Sequence, residues 1–288
     1  MKYTLFTPTY NRASILPALY KSLEVQTFKD FEWLVIDDGS KDNTEEVINE
    51  FKHVASFPIR YVKQENGGKH TAFNRAIEEA NSEWFVCIDS DDPLTSDSLA
   101  NMEKACAIIS DTAAGFVGIC VSPNGNVLEN RIKSFFYSDT IDIRDVYHYQ
   151  CEPEVYRLSI LKKYRFPIFN GEKFITEAIL FDQLTLEHKL LYTNFPMQVK
   201  EYLPGGLTDN QTKIRVESPN GTLAYYRLRY KLSKKYVYKI KALINYCRFF
   251  MHARRKKAVL VEPILKKSFF VAPIAFLLYL KDIKINTL

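Results

Sequence analysis

Trp84-Phe85-Val86-Cys87-Ile88, followed at once by Asp89-Ser90-Asp91-Asp92-Pro93, is the stretch that decides the fold. Five apolar residues in a row predict a strand buried on both faces. The acidic run closed by Pro93 predicts that the strand stops abruptly. Upstream, the same pattern recurs. Residues 3–7 predict a short strand ended by Pro8-Thr9-Tyr10-Asn11-Arg12, with Ile15, Leu16, Leu19 and Leu23 at helical spacing beyond it. Residues 31–36 predict a second buried strand, broken by Asp37-Asp38-Gly39-Ser40; Ser40 or Asp42 is placed to cap a helix reaching about His53. A third strand over 59–62 gives way to the turn Asn66-Gly67-Gly68 and a helix over 71–80. Strand, loop and helix in repetition argue an α/β fold, a doubly wound, mostly parallel sheet flanked by helices. Ligands bind such sheets at the carboxyl ends of the strands. The loops at 8–12, 37–40, 66–70 and 89–92 are therefore expected along one edge, as walls of one crevice.

Composition narrows the class. The chain has 288 residues, 47% hydrophobic and 25% charged, enough for about two domains or one large domain with an appendage. Collagen-like, low-complexity and wholly disordered chains are excluded. The cysteines Cys87, Cys106, Cys120, Cys151 and Cys247 are odd in number and lack CxxC spacing. They predict reduced thiols and no zinc site. The first residues run directly into a strand pattern with no charged-then-apolar leader, which predicts a cytoplasmic protein.

Charge is split along the chain. Residues 213–288 hold 18 basic residues against Glu217, Glu262 and Asp282, a net +15, while residues 1–212 carry −10. An acidic body with a basic tail points to an anionic partner, a membrane surface or nucleic acid. The tail interleaves Tyr225, Tyr226, Tyr230, Tyr236, Tyr238 and Tyr246 with lysine and arginine, then adds Arg254-Arg255-Lys256-Lys257. The apolar run at 269–280 is twelve residues long and contains Pro273. A spanning helix needs about 20 residues, so an interfacial segment is expected, with a buried core helix as the rival. Between body and tail, the pattern predicts a helix over 96–110, a strand over 115–121, a helix over 176–191 and a loop over 201–210 containing Pro204-Gly205-Gly206.

Three loops carry candidate chemistry. Carboxylates at i and i+2, Asp89 and Asp91, can converge on one hard divalent cation that also meets substrate phosphates; a solvated capping loop is the plainer alternative. Asp37 and Asp38 can accept from a base N–H or a ribose hydroxyl, or serve as turn and cap residues, one structural and the other facing the ligand. Asn66-Gly67-Gly68-Lys69-His70 is Gly-rich and cationic at a helix start, where anions are favoured. Lys69 is the candidate diphosphate contact, whereas His70 is expected to be a surface or buried structural residue.

The blocks TPTYNR at 7–12, VIDDGS at 35–40, ENGGKHTAFNRAI at 65–77 and CIDSDD at 87–92 resemble, in that order, glycosyltransferase family 2. The resemblance implies a GT-A fold and inverting transfer of a sugar from a nucleotide-diphosphate donor, with Mn2+ or Mg2+ as cofactor. It implies that Pro8 and Tyr10 frame the base, that Asp38, with Asp37, binds it, and that Arg12, Asn66, Gly67 and Lys69 line the nucleotide site. Asp89 would face ribose or metal, and Asp91 would be the principal metal ligand, a template and Lewis-acid arrangement. The family's base sits in an acidic motif at a helix start. Here Thr176-Glu177-Ala178 has alanine where the family usually has aspartate. Glu177 is then the candidate base or a helix-start charge, with Glu172 and Asp182 as fallbacks. Tyr202 to Thr208 resembles the loop that closes the family's site.

These features imply a nucleotide-sugar-binding half at 1–95, an acceptor-side half of the same domain at 96–215, and a basic, aromatic, helical extension at 216–288 that holds to an anionic membrane. The expected partners are a nucleotide-sugar donor, a UDP-sugar, and a saccharide or lipid-linked acceptor of bacterial cell-surface polysaccharide synthesis. No nucleic acid is expected, and the site of action is the inner face of the cell membrane. The competing classes are a sugar-phosphate nucleotidyltransferase, which would carry a Gly-rich basic loop after the first strand, and a nucleic-acid-binding protein using the tail.

Overall fold

The computed structural model describes residues 1–128, 132, 134–149, 153–200, 211–255 and 268–285. Cys151, the loop at 201–210 with its Pro204-Gly205-Gly206 turn, and Lys256-Lys257 lie outside them. The chain forms two compact units. One comprises Met1–Arg165 with Asp182–Glu201, the other Phe166–Phe181 with Tyr202–Leu288.

The first unit is built on a sheet of eight strands among the described residues: β1 (Tyr3–Thr9), β2 (Phe31–Asp37), β3 (Ile59–Lys63), β4 (Trp84–Cys87), β5 (Gly115–Val121), β6 (Phe136–Ser138), β7 (Glu154–Arg157) and β8 (Leu190–Val199). Their order is β3-β2-β1-β4-β7-β5-β8-β6. β1 lies between β2 and β4 and is parallel to both, and β3 is parallel to β2. The four parallel strands are joined by the helices α1 (Leu16–Glu24), α2 (Thr44–Val54) and α3 (Lys69–Glu79), and α4 (Ser98–Cys106) follows β4. β7 inserts antiparallel between β4 and β5, and β6 runs antiparallel on the far edge beside β8.

Burial explains the strands. All seven residues of β2 are buried, as a central strand covered on both faces requires. Trp33, Tyr20 and Phe51 stack beneath α1 and α2, with the Tyr20 and Phe51 rings 4.1 Å apart. Pro8 falls beyond the last paired residues of β1 and β4, Phe6 and Cys87, where a missing N–H costs no bond to that neighbour.

The helix expected over 176–191 is shorter, Ala178–Glu187, and Leu190 already opens β8. Leu190 and Leu191 pair with Gly115 and Phe116 of β5, so sheet pairing overrides the helical spacing of Leu184 and Leu191. The short strands β6 and β7 carried no readable sequence signal.

In the second unit, helices Gln211–Glu217, Pro219–Leu232, Tyr236–Arg255 and Ala272–Ile285 enclose a small core of Leu223, Tyr246, Phe249 and Ala253. Pro273 does not interrupt the apolar run. It occupies the first turn of the last helix, where its missing N–H has no intrahelical partner to lose. Asp282 of that helix is gripped by Arg248 through a two-nitrogen ion pair and by His252 Nε2 at 3.0 Å. Among the described residues, no helix is long and apolar enough to cross a membrane.

Candidate active site

Four loops leave the carboxyl ends of β1 to β4 and are bonded into one edge. After β1, the Asn11 amide N–H donates to Ser40 Oγ at 2.8 Å, and Asn11 Oδ1 accepts from the Lys41 N–H at 2.8 Å. Asn11 sits at φ 53°, a left-handed conformation asparagine tolerates better than most residues. The Asp38 N–H donates to the Thr9 carbonyl, and the Gln64 N–H to the Asp37 carbonyl, both at 2.8 Å. The loops thus hold one another before any ligand arrives.

The carboxylates that close β2 and follow it, Asp37 and Asp38, work inside this frame. Asp37 is fully buried; its Oδ1 accepts from the Ser40 N–H at 2.8 Å and its Oδ2 from the Tyr61 hydroxyl at 2.5 Å. Burial and this bond push the Tyr61 phenol well above its ordinary range. Asp38 Oδ1 accepts from Gln64 Nε2 at 2.8 Å and the Gly67 N–H at 2.9 Å. Its Oδ2 accepts from the Gly68 N–H at 2.7 Å and Asn66 Nδ2 at 3.1 Å. A carboxylate offers about four lone-pair sites, and all four are used. Asp38 therefore moulds the Asn66–Gly68 turn; a nucleotide base reaches it only by displacing a bond, of which the Asn66 amide is the longest. Gly68 at φ 93° supplies the bend into α3, a conformation open to glycine at no steric cost.

This turn delivers Lys69 to the head of α3. Its Nζ lies 2.6 Å from Asp89 Oδ1, just past β4. Arg12 Nη1 lies 3.9 Å from Asp91 Oδ2, and Lys200 Nζ 3.9 Å from Asp92 Oδ2. Burial pushes the Asp89 carboxyl up, but Lys69, with Lys200 and Arg12 behind it, holds it below the usual carboxylate range. Tyr10 is exposed and Pro8 half-buried on the same edge. His70 is buried, and burial lowers its pKa against the pull of Asp38; it is a neutral core residue.

Among the described residues, no three His, Cys, Asp or Glu side chains gather into a metal cage. The donor set nevertheless suits a hard divalent ion. Such ions bind through one or two carboxylates and take phosphate and water for the rest, and Asp89 and Asp91 are two half-exposed oxygen donors amid three cations. Asp89 and Asp91 could hold the ion, and Arg12, Lys69 and Lys200 lie beside these carboxylates as positive charge.

Glu177 belongs to the second unit. It is exposed at the head of helix Ala178–Glu187, its carbonyl accepting the N–H groups of Leu180 and Phe181. The two fallback acids are committed elsewhere. Asp182 is buried, accepting from Thr140 Oγ1 and Arg144 Nη2, both at 2.7 Å. Glu172 is buried against the head of helix Pro219–Leu232, accepting from the Asn220 and Gly221 N–H groups. Sequence reasoning missed Lys200, Gln64 and Tyr61. Lys200 has no motif around it, and the other two gain their partners from strand register alone.

The chain belongs to glycosyl transferase family 2, whose model matches residues 4–171. Among curated relatives, the GalNAc(5)-diNAcBac-PP-undecaprenol beta-1,3-glucosyltransferase of Campylobacter jejuni is 30% identical over 197 residues, 65% of this chain and 60% of that protein. Across this and other curated relatives, the match takes in 15 to 60% of their length. Two solved structures share the fold. S. aureus TarS 1-349 in complex with UDP superposes with a TM-score of 0.62 over 96% of this chain and 89% of that one, at 20% identity. Mannosyltransferase PcManGT from Pyrobaculum calidifontis, in complex with GDP-Man and Mn2+, gives 0.57 over 96% and 81%, at 16% identity. The fold is GT-A.

Proposed function

We propose that this protein is an inverting, metal-dependent glycosyltransferase that moves a sugar from a nucleotide-diphosphate donor, a UDP-sugar, to a saccharide or lipid-linked acceptor in bacterial cell-surface polysaccharide synthesis. The observation that carries this is the edge where Asp89 and Asp91 leave β4 beside Lys69 and Arg12. Oxygen donors for a cation and cations for a diphosphate converge there, as a nucleotide-diphosphate leaving group requires.

Each residue then has a task. Pro8 and Tyr10 flank the base, and Asp37 and Asp38 build the wall of its pocket, with Asp38 exchanging its Asn66 bond for the base. The Gly67 loop and Lys69 meet the diphosphate, with Arg12, and Asp89 and Asp91 would hold Mn2+ or Mg2+. When bound, that ion supplies positive charge that stabilises the departing diphosphate. Glu177 accepts the proton of the acceptor hydroxyl as its oxygen bonds to the anomeric carbon and the bond to phosphate breaks. Support comes from the named neighbours, which hold UDP or GDP-Man with Mn2+, and from a relative named for an undecaprenol-linked acceptor.

The tail completes the proposal as a peripheral anchor on the inner face of the membrane. Ile274, Leu277 and Leu280 are exposed on the last helix, with Phe270 exposed in the turn just before it, while Ala275 and Asp282 of the helix are buried. Basic residues beside an exposed apolar stripe are what an anionic bilayer surface binds.

The deciding experiment incubates the protein with a panel of UDP-, GDP- and dTDP-sugars plus Mn2+ and measures release of nucleoside diphosphate. One donor should be consumed, and excess chelator should stop the reaction until Mn2+ or Mg2+ is restored. No release from any donor sinks the transferase; full release in chelator sinks the metal.

A further inference from the structure

Glu172 is a buried carboxylate for which catalysis, as set out above, has no use. All its partners lie in the second unit. Oε1 accepts from the Asn220 N–H and from Asn220 Nδ2, both at 2.8 Å, and Oε2 accepts from the Gly221 N–H at 2.8 Å. These are the first N–H groups of helix Pro219–Leu232, which have no intrahelical acceptor. A negative charge there also meets the positive end of the helix dipole. The cap comes from 48 residues upstream, so it ties two distant segments together.

The rest of the segment after Glu172 is fastened to the same helices. The Phe174 N–H donates to Ser218 Oγ at 3.1 Å. The Arg215 guanidinium lies 5.7 Å from the Phe174 ring and 5.3 Å from Tyr225. A Cβ on Gly221 would lie 2.9 Å from Ile175 Cγ1 and 3.0 Å from the Phe174 carbonyl oxygen; only glycine lets the segment lie this close. Five residues beyond Glu172, the segment ends at Glu177, which opens the next helix.

We infer that Glu172 is a positioning residue: it locks residues 172–177 to the C-terminal helices and thereby fixes Glu177 for proton transfer. The C-terminal unit is then a working part of catalysis as well as an anchor. The inference rests on the transferase reading for what Glu177 does, but the lock itself is independent of it. Charge-assisted bonds to buried N–H groups are among the stronger ones available, and a reacting group displaced by about 1 Å can lose about 10²-fold in rate.

The test uses the full chain and three variants. Glu172→Gln turns one acceptor oxygen into a donor facing an N–H. Asn220→Asp combined with it reverses the side-chain bond, the new amide donating to the new carboxylate, and keeps the bond from the Gly221 N–H, while the backbone N–H of residue 220 still faces that amide. Ser218→Ala removes only the Phe174 tether. Folding is checked by circular dichroism, nucleotide binding by titration with UDP and Mn2+, loop order by amide exchange of residues 172–177, and turnover by UDP release from the donor that the wild type consumes. In Glu172→Gln, exchange of the segment should quicken and kcat fall, each by about tenfold or more. Affinity for UDP and KM for the donor should stay within about twofold, a split that general destabilisation would not give. The exchanged pair should recover part of both losses. Wild-type exchange and turnover in a folded Glu172→Gln overturn the inference. If Glu172→Gln does not fold, Ser218→Ala decides by the same two readouts. If the wild type releases UDP from no donor, the transferase reading fails, and the exchange rates alone decide whether Glu172 locks the segment.

Discussion

The Lys69 ammonium rests 2.6 Å from the Asp89 carboxylate, bringing the head of α3 to the end of β4. A cation therefore already sits where a metal would be held. Replacing Lys69 with Met should tighten Mn2+ binding in the absence of nucleotide, because the carboxylate loses its competitor. The same change should weaken UDP binding by about tenfold, the scale of one charge-assisted bond. Asp91→Ala should abolish turnover, and Asp89→Ala should be nearly as severe. Titration of the Lys69 variant with Mn2+ and with UDP, and UDP release by the two aspartate variants, check all three; a Lys69 variant unchanged in both titrations would refute the arrangement.

Asp38 should prove structural as much as ligand-binding. Asp38→Asn keeps the volume but points a donor at the Gly67 or Gly68 N–H. That unmade bond costs about 1–3 kcal/mol, felt as a loosened turn and weaker UDP affinity. Amide exchange at Gly67 and Gly68, read beside the UDP titration, should show both changes together. Weakened UDP binding with unchanged exchange would mean that Asp38 acts on the nucleotide alone.

Glu177→Gln should lower transfer by at least about 10²-fold, the low end for general base catalysis. UDP affinity should hold, since the base serves the acceptor. Asp182→Asn is the informative contrast. Asp182 holds Thr140 and Arg144, so its loss should lower the melting temperature. A fully active Glu177→Gln protein would remove Glu177 from the mechanism.

The last helix should release the protein from membranes when its outer face is charged. Phe270 is 88% exposed and Leu277 67% exposed, so Phe270→Glu with Leu277→Glu changes two side chains that face solvent. The double variant should fail to float with phosphatidylglycerol vesicles while melting like the wild type. Wild-type binding should weaken with salt, because screening shortens the reach of the basic residues. Flotation equal to that of the wild type would end the membrane proposal.

Acid should loosen the same helix. Burial raises the Asp282 pKa, but the hydrogen bonds from Arg248 and His252 outweigh it and bring it below the usual value. A lowered folded pKa stabilises fully above the unfolded value of about 3.9 and ceases to do so as pH falls through the folded one. Asp282→Asn should therefore cost about 1–3 kcal/mol at pH 7, where it takes the charged acceptor from part-buried Arg248, and much less near pH 2. Melting curves at both pH values measure the difference; an equal loss at both would show that the charge is not the source.

The alternation of the first ninety residues, the family blocks within it and the loops that bear Asp38, Lys69, Asp89 and Asp91 are all legible in the sequence. These are local properties: period, turn chemistry and charge act between neighbours in the chain. The sequence also marked the basic tail, since charge needs no fold to be counted. Which carboxylates are engaged inside the protein is settled by tertiary contacts. Asp37, Asp38, Glu172 and Asp182 looked alike as acids in loops or at helix starts, and each is spent on partners 24 to 48 residues away. Such bonds depend on strand register and on which helix end comes to rest beside which segment. Leu191 shows the same limit, for it reads as helix by its spacing from Leu184 and becomes strand by pairing with Phe116 of β5. Distant pairing is settled when the chain closes on itself, and no window of sequence contains it.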